Sequence, residues 1–252
     1  MATLDQWIAG ARPRTLPAAV APVVLGTCAA YLGGHPVYGF ALLAVVVSLS
    51  LQVGVNYAND YSDGIRGTDD ARVGPVRLVG QGLASAEMVK IAAFLCFGFA
   101  ALCGLALVAL SEAWIMLLLG ALSIVAAWFY TGGKRPYGYS GLGEVMVFVF
   151  FGLVATLGTE YTQLGHVTWW GLAAACGVGF IAAAILVANN LRDRVGDAAA
   201  GKRTLAVRLG DRGTRAFWLV LIVGSVVALG AMAVLASPWS LVGLVALPVV
   251  WP

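Results

Sequence analysis

The stretch YGFALLAVVVSLSLQVGVNYANDYSD, residues 38–63, decides the fold: apolar and small side chains run uncharged from Tyr38 to Ala58 and end on Asn59-Asp60-Tyr61-Ser62-Asp63. Such a run crosses the hydrocarbon core of a bilayer, which takes about 20 residues of α-helix. Seven further runs occur outward from it, at roughly 16–33, 88–110, 113–130, 143–160, 169–190, 216–236 and 239–251, the last shorter than a full span. Hydrophobic side chains make up 61% of the 252 residues, charged ones 11%, and the mean hydropathy is +0.91. That balance excludes an ordinary soluble domain and predicts an all-α membrane protein, a single transmembrane domain over 1–252.

Basic residues give the orientation, because cytoplasmic connections hold an excess of Lys and Arg. Arg12 and Arg14 precede the first run. Arg66, Arg72, Arg77 and Lys90 follow the second, Lys134 and Arg135 the fourth, and Arg192, Arg194, Lys202, Arg203, Arg208, Arg212 and Arg215 the sixth. All 15 therefore lie on alternate connections, which predicts a multi-pass protein of the cell membrane with its N-terminus and long loops in the cytoplasm. The net charge of +3 is a consequence of that topology and gives no reason to expect a nucleic-acid partner. Opposite connections hold Glu112, Glu160, His35 and His166, with nothing that reads as a site. Arg12 and Arg14 before an apolar run mimic a secretory signal, but seven more runs follow, so the first is expected to be a retained helix.

Cys28, Cys96, Cys103 and Cys176 fall inside the runs without metal-ligand spacing, which predicts neither disulfide nor zinc. Trp7, Trp114, Trp169, Trp170 and Trp239 lie near run ends and read as an interfacial belt. The Gly-Lys-Arg-Thr at 201–204 lacks Walker spacing and a preceding strand, which argues against ATP.

Polar chemistry concentrates in the connections 59–87 and 191–215, which hold eight of the 12 acidic residues. Both begin alike, Ala58-Asn59-Asp60-x-x-Asp63 and Ala188-Asn189-Asn190-x-x-Asp193, the pattern of an internal repeat. Asp60 and Asp63 stand at i and i+3, Asp193 and Asp197 at i and i+4, so each pair is expected on one helix face. Asp69 can join from the loop, and Asn56, Asn59, Asn189 and Asn190 add amide groups for the substrate. Oxygen-only donors suit a hard cation, and magnesium commonly binds one or two carboxylates together with substrate phosphates. Arg66, Arg72, Arg77, Lys134, Arg135, Lys202 and Arg203 supply positive charge for phosphate oxygens, so the expected ligand is a diphosphate. Tyr130 and Lys134 close the fourth run on the same side, as catalytic candidates or as interfacial anchors. Asp70, Glu87 and Asp211 read as solvated charges, and Glu144 as a helix-start residue favoured by the backbone dipole more than a catalytic one.

The first motif, Asn59-Asp60-x-x-Asp63 with Asp69, together with Asp193-x-x-x-Asp197, resembles the UbiA superfamily of intramembrane prenyltransferases. GPVRLVGQGLAS at 74–85, YTGGKRPYGYSGLGE at 130–144 and NNLRDRVGDAAAGKRTLAVRLG at 189–210 resemble its 1,4-dihydroxy-2-naphthoate polyprenyltransferase branch in menaquinone synthesis, and the likeness covers essentially the whole chain. The resemblance implies a bundle of transmembrane helices around a central cavity. It implies nine helices where eight are predicted here, so a ninth is expected to be missing at the C-terminus.

The resemblance further implies magnesium-dependent transfer of a polyprenyl group from its diphosphate to the naphthoate, with loss of carbon dioxide to give demethylmenaquinone. Asp60, Asp63, Asp69, Asp193 and Asp197 are its expected metal ligands. Members using 4-hydroxybenzoate, homogentisate or a tetrapyrrole would share the donor chemistry and remain as alternatives. A secondary transporter is the rival from another class, and it predicts acids near the bilayer midplane rather than at helix ends. Prenyl chain length and oligomeric state are not written in these residues.

Overall fold

The computed structural model describes residues 2–67 and 76–246, and among them all regular structure is helical. Asp69, Asp70 and Arg72, expected in the first acidic connection, lie outside the described residues. The helices are α1 (Leu4–Gly10), α2 (Leu16–Leu32), α3 (Tyr38–Gly64), α4 (Ala86–Ser111), α5 (Ile115–Phe129), α6 (Gly143–Val147), α7 (Ala155–Leu164), α8 (Trp169–Ala199) and α9 (Leu205–Leu235). A π-helix, Phe148–Val154, joins α6 and α7 into one rod. Among the described residues, six such rods are long and apolar enough to cross a membrane, and α5 is a shorter apolar helix. The eighth predicted run opens as a 3-10 helix, Pro238–Ala246, and its remainder lies outside the described residues.

Helix starts follow side-chain chemistry. Ser85, Thr168 and Thr204 accept the backbone N–H of Met88, Gly171 and Val207, satisfying donors that a helix N-terminus leaves unpaired. Two helices overrun the expected apolar spans in a way that matters for function: α3 continues to Gly64 and α8 to Ala199, so both acidic motifs are helical, as the spacing of their acids predicts. The range of α9 spans two helices that meet at a kink: a short one opens at Leu205, ahead of the expected start, and Gly210, at the non-helical φ 70°, ψ −176°, separates it from the long one. A left-handed φ of that kind suits glycine, which has no Cβ to clash.

Without a hydrophobic drive between helices in lipid, close backbone approach holds such a bundle together. A Cβ on Gly26 of α2 would stand 2.4 Å from the Thr156 carbonyl, and one on Gly152 of the π-helix 2.6 Å from Gly179 Cα of α8. These contacts set the α6–α7 rod against α2 and α8, while α4 packs on α3, α9 on α8, and α5 on α3 and α4. Leu95, Phe99, Leu102, Leu118 and Val125 are exposed on α4 and α5, as lipid-facing side chains should be.

One expectation for the end opposite the acidic motifs is corrected. Glu160 is not a connection residue but sits inside α7, fully buried, its Oε1 accepting the N–H and hydroxyl of Thr168. Gly171 allows this: its Cβ would stand 2.0 Å from Glu160 Oε2. Gln163, also buried on α7, donates to Thr27 and accepts from the Val37 amide.

Candidate functional site

Between α5 and the α6–α7 rod, floored by α3 and α4, lies a cavity of about 520 Å³. Its walls are almost wholly apolar, among them Leu51, Val55, Leu107, Ile124, Phe150 and Phe151. Polar lining gathers where Gln52, Asn56, Asn59, Tyr130 and Tyr137 face it. The C-terminal turn of α3 then carries the first acidic motif just beyond Asn59.

The two motifs meet through a cation. Lys202 Nζ stands 3.2 Å from Asp63 Oδ1 and 3.8 Å from Asp197 Oδ1, with all three side chains at most one-tenth exposed. The turn after α8 presents this lysine: Gly201 adopts φ +74°, and the Lys202 N–H returns to the Asp197 carbonyl at 2.9 Å. Tyr139, in the 3-10 helix Tyr137–Ser140, donates its hydroxyl to Asp63 and lays its ring under the Lys202 ammonium at 4.5 Å. Arg203 N–H bonds the Tyr139 carbonyl at 2.8 Å, which pins the turn to that helix. Burial first, and then the Asp63 carboxylate, push the Tyr139 phenol far above its ordinary range, so it remains a donor.

Asp60 and Asp63, expected on one helix face to share or flank a cation, turn to different partners. Asp60 is buried and turns to the segment before α4, its Oδ2 accepting the Leu78 N–H at 2.7 Å and its Oδ1 the Val79 N–H at 3.1 Å. Residues three apart on a helix differ by about 60° in direction, enough here to send one acid to that segment and the other to Tyr139. Asp193 lies on α8 one turn before Asp197 and pairs with Arg192 at 2.8 Å.

Several expected substrate groups serve the scaffold. Asn56 Nδ2 donates to the Ala11 carbonyl and Thr15 Oγ1, fastening the α1–α2 junction to α3 while its residue still borders the cavity. Arg66 donates to the carbonyls of Ser62, Thr131 and Gly133, so this exposed guanidinium ties the 131–133 turn to α3. Asn59 accepts the Thr131 hydroxyl at 2.8 Å in the same joint. Arg77 is buried next to the Asp60-bound amides, whereas Lys134, Arg135, Arg203 and Asn189 are exposed around the site. Asn190 donates to Glu144 Oε1 at 2.9 Å, which places a buried carboxyl of α6 against α8.

Three participants were not picked out from sequence: Tyr139, Thr131 and, in its buried position, Glu144. All fall within YTGGKRPYGYSGLGE, already singled out for its likeness, so a signal existed in the stretch. Which of its hydroxyls and acids turn inward depends on the fold of the 131–143 turn, and no periodicity encodes that.

The model of the UbiA prenyltransferase family matches residues 19–252. The chain belongs to the UbiA prenyltransferase family. It is thereby a multi-pass membrane protein and a prenyltransferase by kind. It is 56% identical over 248 residues to the 1,4-dihydroxy-2-naphthoate octaprenyltransferase of Mycobacterium tuberculosis, covering 98% of this chain and 84% of that one. To the protein of the same name from Escherichia coli it is 40% identical over 250 residues, 96% of this chain and 81% of that one. A solved structure of digeranylgeranylglyceryl phosphate synthase overlays with a TM-score of 0.65 at 15% identity, covering 93% of this chain and 78% of that one, which shows the shared fold.

Proposed function

We propose that this chain is a magnesium-dependent 1,4-dihydroxy-2-naphthoate polyprenyltransferase of the cell membrane, with its acidic end in the cytoplasm. The observation that carries the proposal is the junction of an apolar cavity of about 520 Å³ with the Asp63–Lys202–Asp197 cluster, reached through Asn59 and Tyr130. A polyprenyl tail suits such walls, since burying apolar surface contributes roughly 25 cal/mol per Å². The acceptor assignment is supported by the names of relatives at 40–56% identity.

The donor set suits magnesium. Asp63 and Asp197 converge on a position that already holds a positive charge, the Lys202 ammonium. Each carboxylate oxygen has two lone pairs, so Asp60 keeps acceptor capacity beyond its two amide bonds. Asp63 and Asp197 would hold the ion from this position; Asp60, Asp193 and Asp69 are the candidates for its further ligands, since among the described residues no three acids gather at one point. Bound there, magnesium supplies electrostatic stabilisation to the departing diphosphate.

This chain's own groups do the remaining work in the proposal. Lys202, held by Asp63, Asp197 and the Tyr139 ring, offers an ammonium to diphosphate oxygens. Arg203, Lys134 and Arg135 bring further positive charge from the exposed rim. Arg66 and Asn59 fix the 131–133 turn, and so the neighbouring Tyr130 at the cavity mouth. The apolar walls exclude water from the allylic cation left by diphosphate departure, and the electron-rich ring attacks it without a covalent enzyme nucleophile.

The test is turnover by the purified protein in lipid, with a polyprenyl diphosphate and a panel of 1,4-dihydroxy-2-naphthoate, 4-hydroxybenzoate and homogentisate, with and without magnesium. Prenylated naphthoquinone formed only with the naphthoate and the metal is the expected result. Product from another acceptor alone, or full rates in chelator, would overturn the acceptor or the metal respectively.

A further inference from the structure

Glu144 is a buried carboxyl whose partners are incomplete. It is 3% exposed, its Oε1 accepts from Asn190 Nδ2 at 2.9 Å, and its Oε2 is buried with no hydrogen-bond partner among the described residues. A buried acid oxygen left without a donor is costly, and a single neutral amide does not offset the burial of a charge. Asp60 has two amide donors, and Asp63 and Asp197 have Lys202. Glu160 also has an unpartnered oxygen, but it lies against Gly171 at the far end of the bundle, away from both acidic motifs.

Position makes the missing donor informative. Glu144 precedes by two and three positions Met146 and Val147, which line the cavity wall together with Tyr130 and Tyr137. Gly143, its neighbour, packs so closely on Tyr130 that an added Cβ would stand 3.5 Å from the phenol oxygen. The Tyr130 hydroxyl lies within electrostatic reach of Glu144, Asp63 and Asp197 together, so this end of the cavity adjoins the expected diphosphate position. A flat ring against Tyr130 would therefore have the prenyl carbon on one side and the Glu144 carboxylate on another.

Resting on the proposed function, we infer that Glu144 is the catalytic residue receiving the acceptor hydroxyl adjacent to the ring carboxylate, with Asn190 holding the carboxylate in place. The prenyl C–O bond breaks and its electron pair leaves with diphosphate, and the ring carbon bearing the carboxylate then bonds to the first carbon of the allylic cation. The adjacent hydroxyl oxygen becomes a carbonyl, and its proton passes to Glu144. The product of that step is a β-keto acid, which loses carbon dioxide and returns the electron pair to the ring. The resulting ring oxyanion takes the proton back, so Glu144 is regenerated and no net proton is consumed.

The experiment compares wild type, Glu144→Gln and Glu144→Asp, purified in lipid, with 1,4-dihydroxy-2-naphthoate and with its analogue methylated on the hydroxyl next to the carboxylate. Donor binding is read separately from tryptophan quenching by a polyprenyl diphosphate. Glu144→Gln is expected to lower kcat/KM for the naphthoate by about 100-fold or more, the usual span for a lost general base, with donor affinity unchanged. Wild type should lose a similar factor on the methylated analogue, whereas Glu144→Gln should barely distinguish the two acceptors. Should Glu144→Gln fail to fold, Glu144→Asp, which keeps the acid one methylene shorter, should still prefer the free hydroxyl with a reduced rate. A variant with wild-type rates, or one that discriminates against the methyl ether as wild type does, overturns the role of Glu144. A wild-type protein that prenylates another acceptor and not the naphthoate overturns instead the proposed function.

Discussion

Replacing Lys202 with Met keeps an unbranched apolar side chain and removes the charge that joins the two acidic helices. The Asp63 and Asp197 oxygens lie 3.2 and 3.8 Å from its Nζ, so they are at most about 7 Å from each other. At an effective dielectric of about 20, two bare charges at that separation repel by roughly 2.4 kcal/mol, and the attraction to Lys202 is lost as well. Removing one partner of a buried pair typically costs about 3–5 kcal/mol, and that is the destabilisation expected of Lys202→Met.

The assay is a reversible denaturant titration in mixed micelles followed by tryptophan fluorescence, without divalent ions. Asp197→Asn in the Lys202→Met background should recover about 2 kcal/mol by removing the repulsion, although Asp197→Asn alone destabilises. Millimolar magnesium should also rescue Lys202→Met more than wild type, since an ion that binds only the folded state stabilises it by mass action. If Lys202→Met loses under about 0.5 kcal/mol and the double variant is additive, the carboxylates do not share this cation and the reasoning fails.

Asp60→Ala and Asp193→Ala should each abolish turnover while leaving membrane insertion intact, measured as activity per inserted protein; near-normal rates in both would contradict the metal assignment. Tyr139→Phe should lower stability by roughly 1.5–3 kcal/mol through loss of a hydrogen bond to a charged acceptor. Because burial and Asp63 raise the Tyr139 phenol, its contribution is complete below the unfolded value of about 10 and declines as pH rises through the folded one. Absorbance titration at alkaline pH should therefore show several late-ionising tyrosines, and Tyr139→Phe should remove one residue's worth of that late amplitude. Gly171→Ala should cost about 1–3 kcal/mol in thermal unfolding by driving a Cβ into Glu160, and Glu160→Ala should relieve most of it.

The spans were legible because uninterrupted apolar length is a property of the chain alone, as in Tyr38–Ala58. Their ends were not. Asn59 to Gly64 and Leu191 to Ala199 lie beyond the apolar runs that mark the spans, and only the i, i+3 and i, i+4 spacing of their acids pointed to the helix that packing and Lys202 hold there. Spacing identified Asp60 and Asp63 but not their divergence, which depends on Leu78 and Val79 reaching α3 from 18 and 19 residues away. Lys202 was legible as a cation and Asp63 as an acid, but their meeting across 139 positions belongs to the tertiary fold. Tyr139 and Glu144 lay in a stretch whose turn geometry no periodicity reports.

The π-wound segment between α6 and α7 governs which way the two ends of one rod point. Glu144 and Glu160 are separated by 16 positions, which at 100° each would set them about 160° apart on an ordinary α-helix. Seven residues at the wider winding, roughly 4.4 per turn, hold back the rotation by about 125° and leave the two acids within some 35° of each other. Both do meet α8, Glu144 at Asn190 and Glu160 at the cap residue Thr168 and the facing Gly171. The segment thus works as a phase corrector: tightening it to regular winding would rotate one acid away from α8, unlatching either the acidic end or its opposite.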